Sequence, residues 1–281
     1  MKGKTVLVTG SSSGIGFETA KALAQKGAEV ILVARSEQKL QEAAAEIAKQ
    51  TGTVALKYYT CEFSSQKCIK QLSENIHRDY SKIDVLVNNA GAVYNEFMLS
   101  EDGLEMTIAT NHFAYFLLTK LLLDLIKKSD AGRIVNVSSN SHYRGKIVFE
   151  SFTKNVGFNI TKAYEQSKLA NVLFTTELSE KLSGTGITVN ALHPGVVKTD
   201  IGNKGTKWYA SLVWSLFSGI GGISVEAGAK TSVYLATSEE VKGVSGKYFD
   251  KRKPRETSKI AQDSALAKKL WEQTEAMLKY L

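Results

Sequence analysis

The stretch that most constrains the fold lies near the amino end. A short β-branched run, residues 4–9, meets Gly10-Ser11-Ser12-Ser13-Gly14-Ile15-Gly16, and the helical pattern of Phe17, Ala20, Leu23 and Ala24 follows. Strand, glycine-rich turn and helix in this order form a phosphate cradle. Gly10 permits the tight turn, Gly14 lets a pyrophosphate approach the backbone, and Gly16 lets the helix pack close to the strand with the anion at its N-terminus. Ser12, Ser13 and Ile15 complete the candidate cradle. Three glycines alone also occur in structural turns; the strand before them and the helix after them favour dinucleotide binding.

The second apolar run, residues 29–34, ends at Arg35. At this point an NAD site carries a carboxylate for the ribose 2′-hydroxyl, whereas an arginine suits a 2′-phosphate. Ala34-Arg35 offers no carboxylate, which favours NADP(H) over NAD(H); a helix-capping or surface arginine is the other reading. Residues 36–50 read as an amphipathic helix and 53–60 as a third strand, ending at Cys61-Glu62-Phe63. Glu62 lies where an adenine amino group would be held, with Phe63 next to it. Ser64 and Ser65 are candidate N-caps for a helix to about residue 80. Residues 83–87 read as a fourth strand, apolar as a strand covered on both faces should be. Asn88-Asn89-Ala90-Gly91 closes it with small and polar residues that let a cofactor approach.

Ser100 is expected to open a short helix, and residues 109–128 a long one with Asn111 near its start. Residues 133–137 form the fifth strand pattern, ending in Ser138-Ser139-Asn140-Ser141, and 187–192 the sixth, ending in His193-Pro194-Gly195. Between them, residues 161–182 read as a helix; 225–236, 246–249 and 258–278 read as a helix, a last strand and a closing helix. This alternation predicts an α/β fold, a Rossmann-type doubly wound parallel sheet in a single domain over residues 1–281. Ligands in such sheets sit at the carboxyl ends of the strands, so the hydroxyls at Ser138 and Ser139 invite a functional reading.

The helix at 161–182 carries Tyr164-Glu165-Gln166-Ser167-Lys168. Side chains four apart share a helix face, so the Lys168 ammonium can stand near the Tyr164 phenol. A fixed cation there favours the phenolate and makes a usable proton shuttle of a group whose free pKa is about 10. An ordinary helix-surface pair is the plainer reading of the spacing alone.

Composition narrows the field. Two cysteines, Cys61 and Cys68, make no disulfide framework, no metal-type Cys/His spacing accompanies them, and a reducing compartment follows. Residues 5–9 are too short for a signal h-region, so a cytoplasmic location is expected. The net charge of +8 is dispersed; Lys251-Arg252-Lys253-Pro254-Arg255 is a dense basic run that reads as a solvated loop, and nucleic acid is not expected as a partner. Residues 208–223 are the most apolar stretch, within a candidate substrate loop at about 204–223. They are too few for a membrane span and fit buried core, a lid over an apolar substrate or a peripheral membrane contact.

With the motifs at Thr9 to Gly16, Asn88 to Gly91, Ser139, Tyr164, Lys168 and Pro194-Gly195 in this order, nearly the whole chain resembles the short-chain dehydrogenase/reductase family. The resemblance implies that Tyr164 is the general acid in carbonyl reduction and the general base in alcohol oxidation. It implies that Lys168 lowers the phenol's pKa and bonds the nicotinamide ribose, that Ser139 polarises the substrate carbonyl, and that Asn111 anchors a water in the proton relay. Asn89, Ala90 and Gly91 would line the cofactor, and Pro194, Val197 and Thr199 would embrace its nicotinamide end. Glu62 stands where the family usually has aspartate. The residues inserted at 145–161, His193 to Thr199, Gly246 to Phe249 and Leu270-Trp271 resemble the retinol dehydrogenase branch, whose members handle hydrophobic aldehydes, retinoids or steroids with NADP.

The expectation is therefore an NADP(H)-dependent oxidoreductase acting on a small apolar carbonyl or alcohol, without a metal. By the resemblance it would form a homodimer or homotetramer through residues 111–128 and 161–182. The alternative is a catalytically idle NADP-binding redox sensor or interaction module.

Overall fold

A computed structural model describes residues 1–53, 56–197 and 222–280. Its centre is an eight-stranded sheet in the order β3-β2-β1-β4-β5-β6-β7-β8. The strands are β1 (Thr5–Thr9), β2 (Glu29–Ala34), β3 (Tyr58–Thr60), β4 (Val85–Asn88), β5 (Arg133–Val137), β6 (Thr188–His193), β7 (Tyr248–Asp250) and β8 (Lys253–Arg255). All neighbours are parallel except β7 and β8. The order reverses between β1 and β4, which puts a crevice at their carboxyl ends.

Helices α1 (Gly14–Gln25), α2 (Glu37–Thr51) and α7 (Val225–Thr237) cover one face; α3 (Gln66–Asp79), α5 (Ala114–Lys127) and α6 (Ile160–Lys181) cover the other. Both faces of β1 are therefore core: Leu7 packs in one cluster, Val6 and Val8 in the other. The doubly wound sheet expected from the alternation of elements is what the chain adopts.

Several local expectations are corrected. The third strand is only Tyr58–Thr60, because this edge pairs with β2 at three positions. Ser100 opens no helix; its hydroxyl accepts from the Asp102 and Leu104 amides and closes a turn instead. The helix starts at α4 (Met106–Ile108), capped by the Glu105 carboxylate, and runs through a π-turn at Ala109–Phe113 into α5. Ser65 caps α3, whereas Ser64 donates to Glu62. The basic run is no free loop: Lys251 and Arg252 turn in the left-handed region (φ 51° and 64°), and Lys253–Arg255 return antiparallel along β7 as an exposed edge.

The closing helix expected at 258–278 is split into a 3₁₀ turn at Lys259–Gln262 and α8 (Ser264–Ala276). Trp271 of α8 packs against Phe116 and Phe174, with ring centroids at 4.6 and 5.9 Å, and Lys120 pairs with Glu275 at 2.8 Å. The middle of α6, Glu165 through Leu178, is almost wholly buried within the chain, with α8 among the elements packed on it. Among the described residues no helix is long and apolar enough to cross a membrane.

Candidate active site

The glycine turn joins β1 to α1 at the crevice. A side chain on Gly10 would come within 2.8 Å of the Ala90 Cα, and one on Gly16 would overlap the Gly10 carbonyl, so both glycines are required by close approach. The turn is braced on both sides. Ser11 Oγ accepts from the Val33 amide at 2.9 Å; Asn89 Nδ2 donates to the Thr9 carbonyl at 2.8 Å; and Thr9 Oγ1 accepts from the Asn89 and Ala90 amides at 2.8 and 2.9 Å. Asn89 and Ala90 thus hold the cradle from behind.

The start of α1 differs from those of its neighbours. Ser36, Ser65, Asn159, Ser224 and Asp263 cap the helices they precede, while Ser13 makes no capping bond. The first-turn amides of α1 keep their donors for an anion, and a pyrophosphate fits that environment. Ser12, Ser13, Gly14 and Ile15 are all at least partly accessible there.

Arg35 and Glu62 meet at the carboxyl ends of β2 and β3, Nη1 to Oε2 at 3.3 Å, with both side chains exposed. The Ser64 amide and hydroxyl donate to the other carboxylate oxygen of Glu62 at 3.2 and 3.0 Å, which fixes its orientation. The arginine thus stands at the carboxyl end of β2 with a carboxylate as its partner. Phe63 behaves differently: its side chain is buried in the core, so only its backbone can serve a cofactor.

Tyr164 and Lys168 project from the first turns of α6. Lys168 Nζ stands 5.5 Å from the Tyr164 ring centroid and donates to the Val137 carbonyl at 3.1 Å. Ser139, at the end of β5, hydrogen-bonds the Tyr164 phenol, and that bond pulls the phenol's pKa down. Burial is the larger effect and pushes it up to about 12, while burial alone brings the Lys168 ammonium down to about 8. The expected lowering of the phenol by Lys168 is thus not what this state displays: the cation lies over the ring, and desolvation dominates both groups. Ser138, the neighbouring hydroxyl, is spent on the Lys168 carbonyl at 2.7 Å. That leaves Ser139 as the serine beside the phenol.

Asn111 lies in the π-turn, fully buried. Its Oδ1 accepts from the Ala92 amide at 2.8 Å, and Nδ2 donates to the Ala92 carbonyl at 2.9 Å and to Ser167 Oγ at 3.0 Å. Ser167 in turn donates to the Tyr164 carbonyl. Both amide hydrogens are used in joining the loop after β4 to α6. A Cβ built on Gly91 would lie 3.3 Å from Asn111 Oδ1 and 3.8 Å from Lys168 Nζ, so the missing side chain leaves a space that both groups border.

Sequence reasoning passed over a buried polar ladder that seats α6 on the sheet. Asn88 Nδ2 donates to Asn136 Oδ1 at 2.9 Å and to Thr119 Oγ1 at 3.0 Å, and Asn136 Nδ2 donates to Thr175 Oγ1 at 3.0 Å. An asparagine inside each of two covered strands is the signal that could have found it, since buried amides need partners. Gly228 was also missed. A side chain there would meet Val197, Ile15 and the Pro194 carbonyl, so this glycine of α7 brings the cradle and the β6 loop together. Thr199 and residues 204–221 of the expected substrate loop lie outside the described residues.

Comparison with known proteins agrees with this geometry. The family model for short chain dehydrogenase matches residues 4–210. Human retinol dehydrogenase 13 is 41% identical over 278 residues, covering 96% of this chain and 82% of that protein. Human retinol dehydrogenase 14 is 39% identical over 297 residues, covering 99% and 87%. A short chain dehydrogenase from Shigella flexneri, solved in complex with NADP, superposes with a TM-score of 0.69 at 25% identity, covering 90% of this chain and 98% of that one. With the glycine cradle, Ser139, Tyr164 and Lys168 assembled at one edge of a doubly wound sheet, the chain belongs to the short-chain dehydrogenase family, in its retinol dehydrogenase-like branch, and is an oxidoreductase acting on CH–OH or carbonyl groups with a nicotinamide cofactor.

Proposed function

We propose that this enzyme uses NADP(H) and moves a hydride between the nicotinamide and an apolar carbonyl or alcohol of the retinal, lipid-aldehyde or steroid-ketone kind. The observation that carries the reading is the meeting of Ser139 with Tyr164 beside Lys168, in the crevice that also holds the uncapped start of α1. Arg35, with no carboxylate of its own strand beside it, supports NADP(H), as does the NADP held by the Shigella relative. An apolar substrate is supported by the rim. Met98, Leu99, Val148, Val156, Ile160 and Val196 are exposed on segments that leave the carboxyl edge of the sheet. The retinol named in the curated relatives points the same way.

The cofactor, when bound, supplies or accepts the hydride. Tyr164 gives its phenolic proton to the carbonyl oxygen during reduction and takes the proton back during oxidation. Ser139 Oγ turns its single hydrogen to the same oxygen and orients it beside the phenol. Lys168, still charged below about pH 8, favours the phenolate left behind and reaches the nicotinamide ribose. Asn111 holds the loop after β4 against Tyr164 through Ser167 and, in this reading, anchors a relay water near Gly91. Glu62, Asn89, Ala90, Gly91, Pro194, Val197 and Thr199 complete the cofactor site in this reading. A homodimer or homotetramer formed through residues 111–128 and 161–182 belongs to this reading, and light scattering tests for it.

The test of function is NADPH oxidation, followed by its absorbance, against short aldehydes, decanal, retinal and steroid ketones, with NADH in parallel. Turnover of the apolar members with NADPH is expected. NADPH binding without turnover of any of them would instead favour an idle sensor.

A further inference from the structure

His142 is a fully buried histidine that the chemistry above does not use. It lies in the 3₁₀ turn Asn140–Arg144, for which Ser139 is the N-cap. Its Nδ1 is 2.7 Å from the Ser139 carbonyl oxygen, which also accepts from the His142 amide at 3.1 Å. Its Nε2 accepts from the Ser258 amide at 3.4 Å. Both ring nitrogens are thus engaged, which selects the neutral tautomer with the proton on Nδ1. Burial holds the imidazole below its ordinary pKa, consistent with that neutral form.

The same turn is held at further points, from β6, β7 and the segment after β8. The His142 ring packs on Tyr143 and Tyr248, with centroids at 4.0 and 4.5 Å. Tyr143 donates to the Glu256 carbonyl at 2.5 Å, Tyr248 donates to Asn140 Oδ1 at 2.9 Å, and the Asn140 amide donates to His193 Nδ1 at 3.4 Å. A carbonyl that accepts twice cannot rotate freely. Fixing the Ser139 carbonyl fixes the ψ angle of Ser139 and with it the direction of Cα–Cβ, while the Ser141 amide and hydroxyl of the same turn, at 3.1 and 3.2 Å, hold the rotamer of Oγ.

We propose that His142, clamped between the Ser139 carbonyl and the Ser258 amide, is a positioning residue that aims the Ser139 hydroxyl, and that it makes the segment from Tyr248 to Ser258 part of the active site. The inference rests on the reading of Ser139 as the group that polarises the substrate carbonyl. It assigns function to residues beyond the 4–210 stretch that the family model matches. A packing role alone would not need a ring with both nitrogens committed; a phenylalanine would fill the volume without burying polar atoms.

The two amide analogues of histidine separate the arms. In His142→Asn the amide nitrogen falls near Nδ1 and can still serve the Ser139 carbonyl; in His142→Gln it reaches toward Nε2 and abandons that carbonyl. Ser258→Pro removes the other donor at a backbone position, φ −60°, that proline accepts. With NADPH and decanal or retinal, kcat is expected to fall about tenfold or more in His142→Gln, severalfold in Ser258→Pro, and less than about threefold in His142→Asn. The NADPH Kd should stay within about twofold throughout, because the cradle is untouched. Wild-type kcat in His142→Gln, alongside a Ser139→Ala variant that has lost turnover, would overturn the proposal and leave the function intact. An active Ser139→Ala variant would remove the reading of Ser139 and this inference with it. Amide hydrogen exchange over residues 139–145 decides the clamp without any substrate: faster exchange in His142→Gln and Ser258→Pro than in His142→Asn supports it, and unchanged exchange refutes it.

Discussion

Arg35 Nη1 and Glu62 Oε2 lie 3.3 Å apart across the carboxyl ends of β2 and β3, so the cation read as a 2′-phosphate ligand already has a carboxylate partner. Both side chains are exposed, and such pairs are worth at most about 1 kcal/mol. A 2′-phosphate offers the guanidinium a bidentate, doubly charged partner and displaces Glu62 readily. Arg35→Asp is expected to weaken NADPH binding by about 10- to 100-fold, the worth of a charge-assisted hydrogen bond, with little change for NADH. Glu62→Gln should tighten NADPH binding up to about fivefold. Titration calorimetry with both cofactors reads each effect; an unaltered NADPH/NADH ratio in Arg35→Asp would remove Arg35 from the site.

Tyr164→Phe keeps the ring over which Lys168 Nζ stands and deletes only the proton donor. Turnover should fall by about 10²- to 10⁴-fold, the range for loss of a positioned general acid, while the NADPH Kd stays near that of the wild type. Stopped-flow absorbance with fluorescence titration separates the two. A variant that still turns over at the wild-type rate would hand the proton transfer to another group.

Gly16→Ala tests the cradle. The new methyl would overlap the Gly10 carbonyl and come within 2.5 Å of Asn89 Nδ2, and a backbone oxygen cannot swing aside as a flexible side chain does. The turn has to open, at a stability cost of about 1–3 kcal/mol. Cofactor affinity should drop with it. Thermal unfolding and NADPH titration check both; normal affinity would mean that the close approach of α1 to β1 is not needed for binding.

How far the fold was legible depended on where the instructions lie. β2 and β5 have their expected bounds because each is a covered apolar run stopped by a charged or polar residue, Arg35 and Ser138. The third strand was overextended because apolar and aromatic residues continue past the three positions that pair. Pro254 and its flanking cations hid β8, since an edge strand needs no apolar face and proline is tolerated at an edge. A Lys-Arg pair also gives no hint of a two-residue turn with both φ angles positive, a place usually taken by Asn-Gly. At the site, the glycine turn, Tyr164 and Lys168 were readable because their spacing is local. The π-turn that buries Asn111, the bond from Ser139 to Tyr164 and the reach of Ser258 to His142 are long-range consequences of packing and leave no periodic trace.

The last prediction concerns the cost of Lys168. Its pKa is brought down to about 8 by burial, below the roughly 10.4 of a free lysine, so the folded state binds fewer protons than the unfolded chain between those two values. Stability then rises with pH across that window. Below about pH 8 the ammonium is charged in both states and the full penalty stands, on the order of 3 kcal/mol from about 1.4 kcal/mol per unit. Above about pH 10.5 both forms are neutral and the penalty is gone. Lys168→Met, which fills similar volume without a charge, should therefore unfold at a higher temperature than the wild type at pH 7, even though the bond to the Val137 carbonyl is lost. The advantage should shrink as pH rises from 8 toward 10.5. Catalysis should fall at the same time, since no cation remains beside Tyr164. Thermal melts of the two proteins across that range decide the matter: a variant less stable than the wild type at pH 7, with no narrowing of the gap toward pH 10.5, would mean that the ammonium is held by favourable interactions and that the active site bears no stability cost at this position.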